Sequence, residues 1–409
     1  MMFTPANLNG GSIIMNSDPI VIVGAARTPM GGLDGDLGTV SASELGSTAI
    51  AEAINRASIP ADEVEDVVMG VVLAAGQGQA PARQASIGAG IPAHVGATTI
   101  NKMCGSGMKA IMFACDNILA GSYKVMVAGG MESMSNAPYL LPNVRTGMRM
   151  GHGEVKDHMF LDGLEDAFER GTLMGAYAEA TAQHYQFTRQ AQDDFALKSL
   201  SRAKAAIGDH TFEKEIAPVM VKSRKGNVLV NTDEQPGNAL PEKIPKLRPA
   251  FAKDGSVTAA NSSSISDGAA AIVLMRKSEA ERRKVSPIAI IHAHASHAQE
   301  PQWFTTAPIG AINKVLKKTG WNKDEVDLYE INEAFAVVTM AAMHDLDLSP
   351  EKVNIHGGAC ALGHPIGASG TRILVTLLNA LEKYDMVKGV ASLCIGGGEG
   401  TAISVERIK

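Results

Sequence analysis

The chain has 409 residues and a formal net charge of −6, and 45% of its residues are hydrophobic, 20% charged and 4% aromatic. This length predicts two or three domains with a sizeable core, and the composition is typical of a folded α/β protein rather than a disordered chain. Because the net charge is acidic and Lys and Arg form no extended run, we expect no nucleic-acid partner.

Membrane and targeting segments are not expected. No apolar run approaches the roughly 18 to 20 residues that span a bilayer, and no Lys or Arg precedes Arg27. We therefore expect no membrane association, no signal peptide or mitochondrial presequence, and a cytoplasmic location. The stretch "MNSDPIVIVGAARTPMGG" at Met15 is typical of a natural start, so residues 1–17 are expected to form a flexible extension.

Short β-branched or apolar runs alternate with helical patterns along the chain. This alternation predicts βαβ units on a buried, largely parallel sheet. In the first half the runs are "PIVIVGAA" at Pro19, "DVVMGVVL" at Asp66, "TTIN" at Thr98 and "KVMVAGGM" at Lys124. In the second half they are "IAIIHAHA" at Ile288, "VDLYEINEAF" at Val326, "KVNIHGGA" at Lys352 and "KGVASLCIGGG" at Lys388.

The two halves can be placed in register. Ser106-Gly107 and Ser369-Gly370 both open helical patterns and lie 263 positions apart, and Lys124 and Lys388 precede similar strands at a separation of 264. Any two α/β halves share strand-helix-strand order, but two landmarks at nearly one offset favour an internal duplication. We predict an N-terminal half at 1–134 and 265–286, an inserted loop domain at 135–264, and a C-terminal half at 287–409.

The four cysteines do not suggest a disulfide framework, because they are few and widely spaced. Cys104 lies in "TINKMCGSGMKAI", directly before a Gly-Ser-Gly corner and a helical pattern. Backbone N–H groups and the helix dipole at such a corner favour a reactive thiolate. A buried structural cysteine is the alternative at this point. Cys115, inside the apolar run "AIMFACDNIL", and Cys360 are interpreted as packing residues.

A nucleophilic Cys104 needs a base, and the duplication suggests one. His364 lies in "GGACALGHPIGASG", the loop that leads into the equivalent helix of the second half. If the halves pack about a pseudo-twofold axis, the two loops face each other, so His364 could deprotonate Cys104. Cys394 ends a strand in "SLCIGGGEG", where Gly396 could donate to an oxyanion. Asn332 in "NEAFA" adds an amide that could hold a water or a carbonyl.

The stretch "HAHASH" contains His292, His294 and His297. It alternates as a strand does and has no matching cluster of ligands elsewhere, so we predict no metal site.

Four motifs together resemble those of the thiolase family: "NKMCGSGMKA", "NEAFA", "GGACALGHPIGASG" and "LCIGGGEG". Further agreement, such as "GGMESMS" at Gly129 and "VTAANSSSISDGAAA" at Val257, extends the resemblance over nearly the whole chain after residue 19. The resemblance implies a five-layered αβαβα fold built from two duplicated βαβ halves with an inserted loop domain. It also implies an acetyl-CoA C-acetyltransferase activity, substrates that are coenzyme A thioesters, and no metal or other cofactor.

The resemblance also implies a role for each candidate residue. Cys104 becomes the nucleophile that carries the acyl group, His364 its general base and an oxyanion donor, and Cys394 the acid/base that removes the α-proton of a second acetyl-CoA. Asn332 would hold a water at the enolate oxygen, and the backbone N–H of Gly396 would stabilise the tetrahedral intermediate at Cys104.

Substrate-binding residues follow from the same comparison of motifs. Those expected to line the coenzyme A or acyl channel are Ser263, Leu164, Met174, Phe251, Ala259, Phe304, Ala334 and Phe335. Leu173-Met174-Gly175 replaces a usual His-Met-Gly, and Phe304 stands where the family often has Met, so the acyl chain length is left open. The loop "RTGMRMGHGEVKDHMFLDGL" resembles the segment that pairs dimers in tetrameric thiolases, which predicts a homotetramer.

Four other functions are alternatives to an acetyl-CoA C-acetyltransferase. A 3-ketoacyl-CoA thiolase of β-oxidation would prefer longer chains. A noncatalytic acyl-CoA-binding relative should have lost Cys104, His364 or Cys394, yet all three are present. A decarboxylating ketoacyl synthase would have a second His in place of Cys394, and a Cys-His hydrolase would leave the second thiol unexplained.

Overall fold

The computed structural model describes residues 18–223 and 226–409, so the extension expected at 1–17 lies outside the described residues. Within them the strands are β1 (Ile20–Arg27), β2 (Gly31–Gly32), β3 (Asp66–Gly70), β4 (Gly96–Ile100), β5 (Val125–Ser133), β6 (Tyr139–Leu140), β7 (Lys156–Asp157), β8 (Val219–Val221), β9 (Val228–Val230), β10 (Ser266–Arg276), β11 (Ala289–Ala298), β12 (Leu328–Ile331), β13 (Lys388–Ile395) and β14 (Glu399–Arg407).

The α-helices of the same residues alternate with these strands. They are α1 (Ala42–Ala57), α2 (Pro81–Gly88), α3 (Ser106–Leu119), α4 (Met174–Tyr185), α5 (Arg189–Gly208), α6 (Glu234–Asn238), α7 (Lys277–Arg283), α8 (Ala307–Thr319), α9 (Ala336–Asp345), α10 (Ala359–Leu362) and α11 (Ser369–Lys383). Each helix in this part of the chain is too short or too polar to cross a bilayer.

The strand order repeats between the two halves. The first half runs β1, β10, β5, β3, β4, and the second runs β11, β14, β13, β12. Strands β1 and β11 join the halves through two residue pairs, Val21 with Ile290 and Ile22 with Ala289. The second half has no counterpart of β4 as a strand, but Val353 forms a parallel bridge to Tyr329 of β12 at that position. This repeated order agrees with the predicted duplication.

Three of the buried apolar clusters define five layers. Side chains of a strand alternate between the two faces of a sheet, and in β1 Val21 and Val23 join the cluster under α1 and α2, whereas Ile20 and Ile22 join the central cluster. The central cluster contains side chains from α3 and α11 and from strands of both halves. A third cluster packs α8 and α9 on the outer face of the second half. The layers are therefore α, β, α, β, α, which confirms the predicted fold.

The expectation of a largely parallel sheet is wrong. Only β3 with β4, β3 with β5, and β12 with β13 pair in parallel within the described residues. Strand β10 runs antiparallel between β1 and β5, and β14 runs antiparallel between β11 and β13. Strands β13 and β14 are joined only by the short turn at residues 396–398, and so short a connection permits antiparallel pairing alone.

A strand was also expected at "KVNIHGGA", beginning at Lys352, and this expectation is wrong. Val353 makes a single bridge, and the chain then leaves extended geometry because Asn354 has φ 48° and Gly357 has φ 80°. The apolar pattern alone did not show these left-handed positions.

The long excursion between β5 and β10 is attached to the core by a buried ion cluster. Arg27 of β1 donates from Nε to Oε1 of Glu215 at 2.5 Å and from Nη1 to Oδ1 of Asp233 at 2.7 Å, and all three side chains are buried. A second bond from Nη2 to Oδ2 of Asp233 completes a bidentate pair. The division into residues 1–134 with 265–286, 135–264 and 287–409 stays a prediction.

Candidate active site

Cys104 lies at a strand-to-helix corner between β4 and α3. Met103 has φ 48°, and its N–H donates to Oδ1 of Asn101 at 2.8 Å, which stabilises the sharp turn. The hydroxyl of Ser106 accepts from the N–H of Lys102 at 2.8 Å and donates to the carbonyl of Met103 at 2.6 Å. These hydrogen bonds hold the turn in place and position the thiol at the N-terminus of α3.

The corner also packs closely against the end of β13 at Gly105. A Cβ at Gly105 would lie 2.4 Å from Cδ1 of Ile395, closer than real Cβ contacts. The N–H groups of Gly396, one residue further on, and of Cys104 itself lie near the Cys104 sulfur and act to lower the pKa of its thiol. Two backbone donors from different halves thus converge on one sulfur atom.

His364 lies in the loop between α10 and α11. Its N–H lies 3.2 Å from the carbonyl of Ser264 and 3.3 Å from Oγ of Ser266, and its Nδ1 lies 2.5 Å from Oγ of Ser369. The buried Nε2 has no hydrogen-bond partner within residues 18–223 and 226–409. The ring therefore has one nitrogen held by the protein and one available for chemistry.

Cys394 and Asn332 lie behind the cavity that Cys104 faces. Cys394, near the end of β13, is fully buried and packs with Phe304 and Ala334. Asn332 follows β12, and its Nδ2 lies 3.5 Å from Nδ1 of His364. The structure thus brings the four predicted side chains Cys104, His364, Cys394 and Asn332 to one place, together with the backbone of Gly396.

Burial favours the neutral form of each titratable group in this cluster. It raises the pKa of the Cys104 thiol to about 11, although the N–H groups of Gly396 and Cys104 act in the opposite direction. Burial, and next the charge of Arg372, lower the pKa of His364 to about 3. Burial, and next the nearby Cys104, raise the pKa of Cys394 well above its ordinary value. Both thiols and the imidazole are therefore uncharged at neutral pH.

A cavity of about 390 Å³ opens onto Cys104, His364 and Gly396. Its lining includes every residue predicted to contact substrate: Ser263, Leu164, Met174, Phe251, Ala259, Phe304, Ala334 and Phe335. A larger groove of about 1010 Å³, formed by residues between 140 and 170, contains none of the predicted catalytic residues. The smaller cavity is therefore the candidate active site, because predicted catalytic residues line it.

Aromatic rings surround one end of this cavity. Phe304 meets Tyr177 and Phe335 edge to face, each pair with ring centroids 6.4 Å apart, and Phe251 meets Phe335 at 6.0 Å. Phe304 is buried beside Cys394. The rings make this part of the cavity wall apolar.

Two residues that contact the site were not predicted to do so. Ser369 was used only as a landmark of the duplication, yet it holds His364. Arg372 was not singled out, yet its Nη2 donates to Oδ1 of Asn332 at 3.3 Å. Their helical position was visible in the sequence, but nothing there indicated which loops that helix faces.

The remaining candidate residues lie apart from the site. His292, His294 and His297 make separate contacts, with Glu406, Asp116 and Gln299 respectively. In the part of the chain that the structure describes, no group of three or more His, Cys, Asp or Glu side chains could hold a metal ion. Cys115 packs in the central core.

Comparison with known proteins gives consistent matches over nearly the whole chain. The family model for the thiolase N-terminal domain matches residues 20–278, and that for the thiolase C-terminal domain matches residues 285–407. A mouse protein named acetyl-CoA acetyltransferase, cytosolic, is 51% identical over 96% of this chain and 99% of its own. An acetyl-CoA acetyltransferase from Cupriavidus necator is 47% identical over 95% of this chain and 99% of its own.

Solved structures agree with these matches. The crystal structure of the Bacillus anthracis acetyl-CoA acetyltransferase has a TM-score of 0.93 at 40% identity, covering 96% of this chain and 99% of its own. A thiolase from Ascaris suum in complex with coenzyme A has a TM-score of 0.91 at 42% identity, covering 95% of this chain and all of its own.

Proposed function

The chain belongs to the thiolase family and is an acyltransferase, and we propose that it catalyses the reversible Claisen condensation of two acetyl-CoA to acetoacetyl-CoA and coenzyme A. The observation that carries this proposal is the clustering of two thiols, one imidazole and two backbone donors beside an apolar cavity that Cys104, His364 and Gly396 line. The names of the mouse and Cupriavidus necator relatives support acetyl-CoA as the substrate.

In the first step, Nε2 of His364 accepts the proton of Cys104 as its sulfur attacks the carbonyl carbon of acetyl-CoA. The N–H groups of Cys104 and Gly396 stabilise the oxyanion of the tetrahedral intermediate. The bond from carbon to the coenzyme A sulfur then breaks. Cys394 gives its proton to the departing thiolate, which leaves an acetyl thioester on Cys104, a protonated His364 and a Cys394 thiolate.

In the second step, the Cys394 thiolate removes the α-proton of a second acetyl-CoA. His364 and a water held by Asn332 stabilise the enolate oxygen, which offsets the cost of forming a carbanion. The enolate carbon attacks the acetyl thioester, the bond to the Cys104 sulfur breaks, and His364 returns its proton to that sulfur. All three groups end in their starting protonation states, so the cycle closes.

The shape of the cavity supports a short acyl group over the longer chains of a β-oxidation thiolase. Phe304 is buried between Tyr177 and Phe335, next to Cys394, and contributes its ring to the cavity wall. The substrates are coenzyme A thioesters, no further cofactor enters the proposed steps, and the name of the mouse relative supports a cytoplasmic location.

We also propose a homotetramer assembled through the loop between β5 and α4. Apolar side chains that a monomer leaves in water are exposed there: Tyr139 at 68%, Val144 at 49%, Met150 at 96% and Phe168 at 73%. Exposed apolar side chains gathered in one segment are typical of a protein interface. Within the chain, this loop belongs to the proposed inserted domain.

Replacing Cys394 tests the proposed division of labour. In Cys394→Ala we expect acetyl-Cys104 to form still, because His364 can return its proton to the leaving thiolate. Acetoacetyl-CoA formation should fall by roughly 10²- to 10⁴-fold, because the base for the α-proton is lost. Rapid-quench acetylation and steady-state condensation measure the two steps, and Cys360→Ala serves as the matched control. Equal loss of both steps in Cys394→Ala would mean that its role is assigned wrongly.

A further inference from the structure

The first turns of α11 present two buried polar side chains to the active site. Ser369 and Arg372 are three residues apart and therefore lie on the same face of the helix. Both are fully buried. Neither lines the substrate cavity, and each contacts a predicted catalytic side chain instead.

Ser369 determines how the imidazole of His364 is held. Its Oγ lies 2.5 Å from Nδ1 of His364 and 3.0 Å from the carbonyl of Pro365. A serine hydroxyl has one proton, so donation to the carbonyl leaves its oxygen to accept from the Nδ1–H of the ring. Nε2 is then the unprotonated nitrogen, and it is the one without a partner within the described segments.

Arg372 determines how the amide of Asn332 is turned. Its Nη2 lies 3.3 Å from Oδ1 of Asn332. Because a guanidinium can only donate, the amide oxygen must face Arg372. The Nδ2 donors then point to the other side, where Nδ2 lies 3.5 Å from the ring of His364.

A comparison with Arg27 shows that Arg372 is not an ordinary buried ion pair. Both side chains are fully buried, but Arg27 bonds carboxylates of Glu215 and Asp233 directly. In Arg372, Nε and Nη1 have no hydrogen-bond partner in residues 18–223 and 226–409. The charges of Glu330, Glu215 and Glu333 act on Arg372 without a hydrogen bond between the groups. A buried charge that is not hydrogen-bonded to its counter-charge costs stability, and a side chain kept for the fold alone would be expected to pair as Arg27 does.

We propose that Ser369 and Arg372 are positioning residues of the condensation reaction, Ser369 for the base His364 and Arg372 for the oxyanion residue Asn332. This inference rests on the proposed function. Loss of Ser369 and loss of Arg372 should therefore affect the two reaction steps differently. His364 acts in both steps, so loss of Ser369 slows both. Asn332 acts only at the enolate, so loss of Arg372 slows the second step far more than the first, which it affects only through the pKa of His364.

The test measures the two steps separately, as acetylation of Cys104 by rapid quench and as formation of acetoacetyl-CoA. For Arg372→Met we expect acetylation within about threefold of wild type and condensation lowered by roughly 10- to 100-fold through kcat rather than KM. Arg372→Lys, which keeps a donor and the charge, should recover part of the condensation rate. For Ser369→Ala both rates should fall by about tenfold or more.

Thr376→Ala is the matched control, because Thr376 is a buried polar residue of the same helix that bonds Glu215 instead of the site. Thermal unfolding of each variant separates loss of structure from loss of positioning, and Arg372→Lys carries the test if Arg372→Met does not fold. Equal slowing of both steps in the Arg372 variants, or equal slowing in Thr376→Ala, would overturn the inference. Wild-type protein that forms no acetyl-enzyme would overturn the proposed function itself, and this inference with it.

Discussion

At the scale of single residues, the two thiols and the imidazole of the site are uncharged before substrate binds. Burial raises the pKa of Cys104 to about 11 and lowers that of His364 to about 3, so a thiolate-imidazolium pair is disfavoured in the empty cavity. The two N–H groups at the Cys104 sulfur are the donors that the proposed mechanism assigns to the oxyanion. The thiolate and the imidazolium therefore form during the reaction and are not present in the resting enzyme.

This resting state predicts the pH dependence of Cys104 alkylation. Only the thiolate reacts, and a pKa raised to about 11 leaves a small thiolate fraction at pH 7. In Cys394→Ala, used so that Cys104 is the one remaining thiol of the active-site cluster, the rate with iodoacetamide should rise about tenfold per pH unit from pH 7 to 10. Peptide mass spectrometry measures the rate, with Cys104→Ala/Cys394→Ala as the blank. A plateau beginning below pH 7 would show an ion pair with His364 and contradict the prediction.

At the scale of elements, the site depends on close backbone packing between the halves. Helices α3 and α11 begin at Ser106 and Ser369, as the sequence pattern predicts. The contacts that bring their loops together were not predictable, because they join residues far apart in sequence. Glu132 of β5, for example, accepts from the N–H groups of Val72 and Gly367, and no local pattern indicates those partners.

Gly130 of β5 offers a test of this packing. A Cβ there would lie 2.0 Å from the carbonyl oxygen of Gly367, in the loop that contains His364, and backbone cannot move aside as a flexible side chain can. Gly130→Ala should therefore destabilise the fold by about 1 to 3 kcal/mol and lower both reaction steps. Gly208→Ala is the control, since nothing lies within 4 Å of its Cβ position. Denaturant unfolding compares them, and unchanged stability in Gly130→Ala would contradict this account of the packing.

At the scale of the whole molecule, the duplication was predictable from the sequence, but the directions of the strands in the sheet were not. The offset of 263 residues between Ser106 and Ser369 indicated two halves, and the family motifs implied five layers. The antiparallel strands β10 and β14 went unpredicted, because an apolar strand does not reveal its direction. The residues expected to contact substrate, in contrast, do line one cavity, because its lining comes from the segments that carry the motifs. That substrate binds there stays a prediction.

The proposed homotetramer can be tested by placing charges on its proposed interface. Val144→Asp with Met150→Asp places two charges on the exposed loop and should convert a tetramer into a smaller species, since charge is disfavoured in a desolvated contact. Met220→Asp with Leu229→Asp, on the exposed β8–β9 hairpin, is the control and should leave the mass unchanged. Light scattering after gel filtration gives the masses. A monomeric wild type, or equal masses for wild type and the loop variant, would contradict the proposed interface.

The central claim is that Cys104 carries the acetyl group between two coenzyme A molecules. Its most direct test is the mass of the peptide containing Cys104 after brief mixing with acetyl-CoA. We predict one acetyl group on that peptide, its removal when coenzyme A is added, and its absence in Cys104→Ala. A wild-type protein without the adduct, or an undiminished adduct in Cys104→Ala, would contradict the claim.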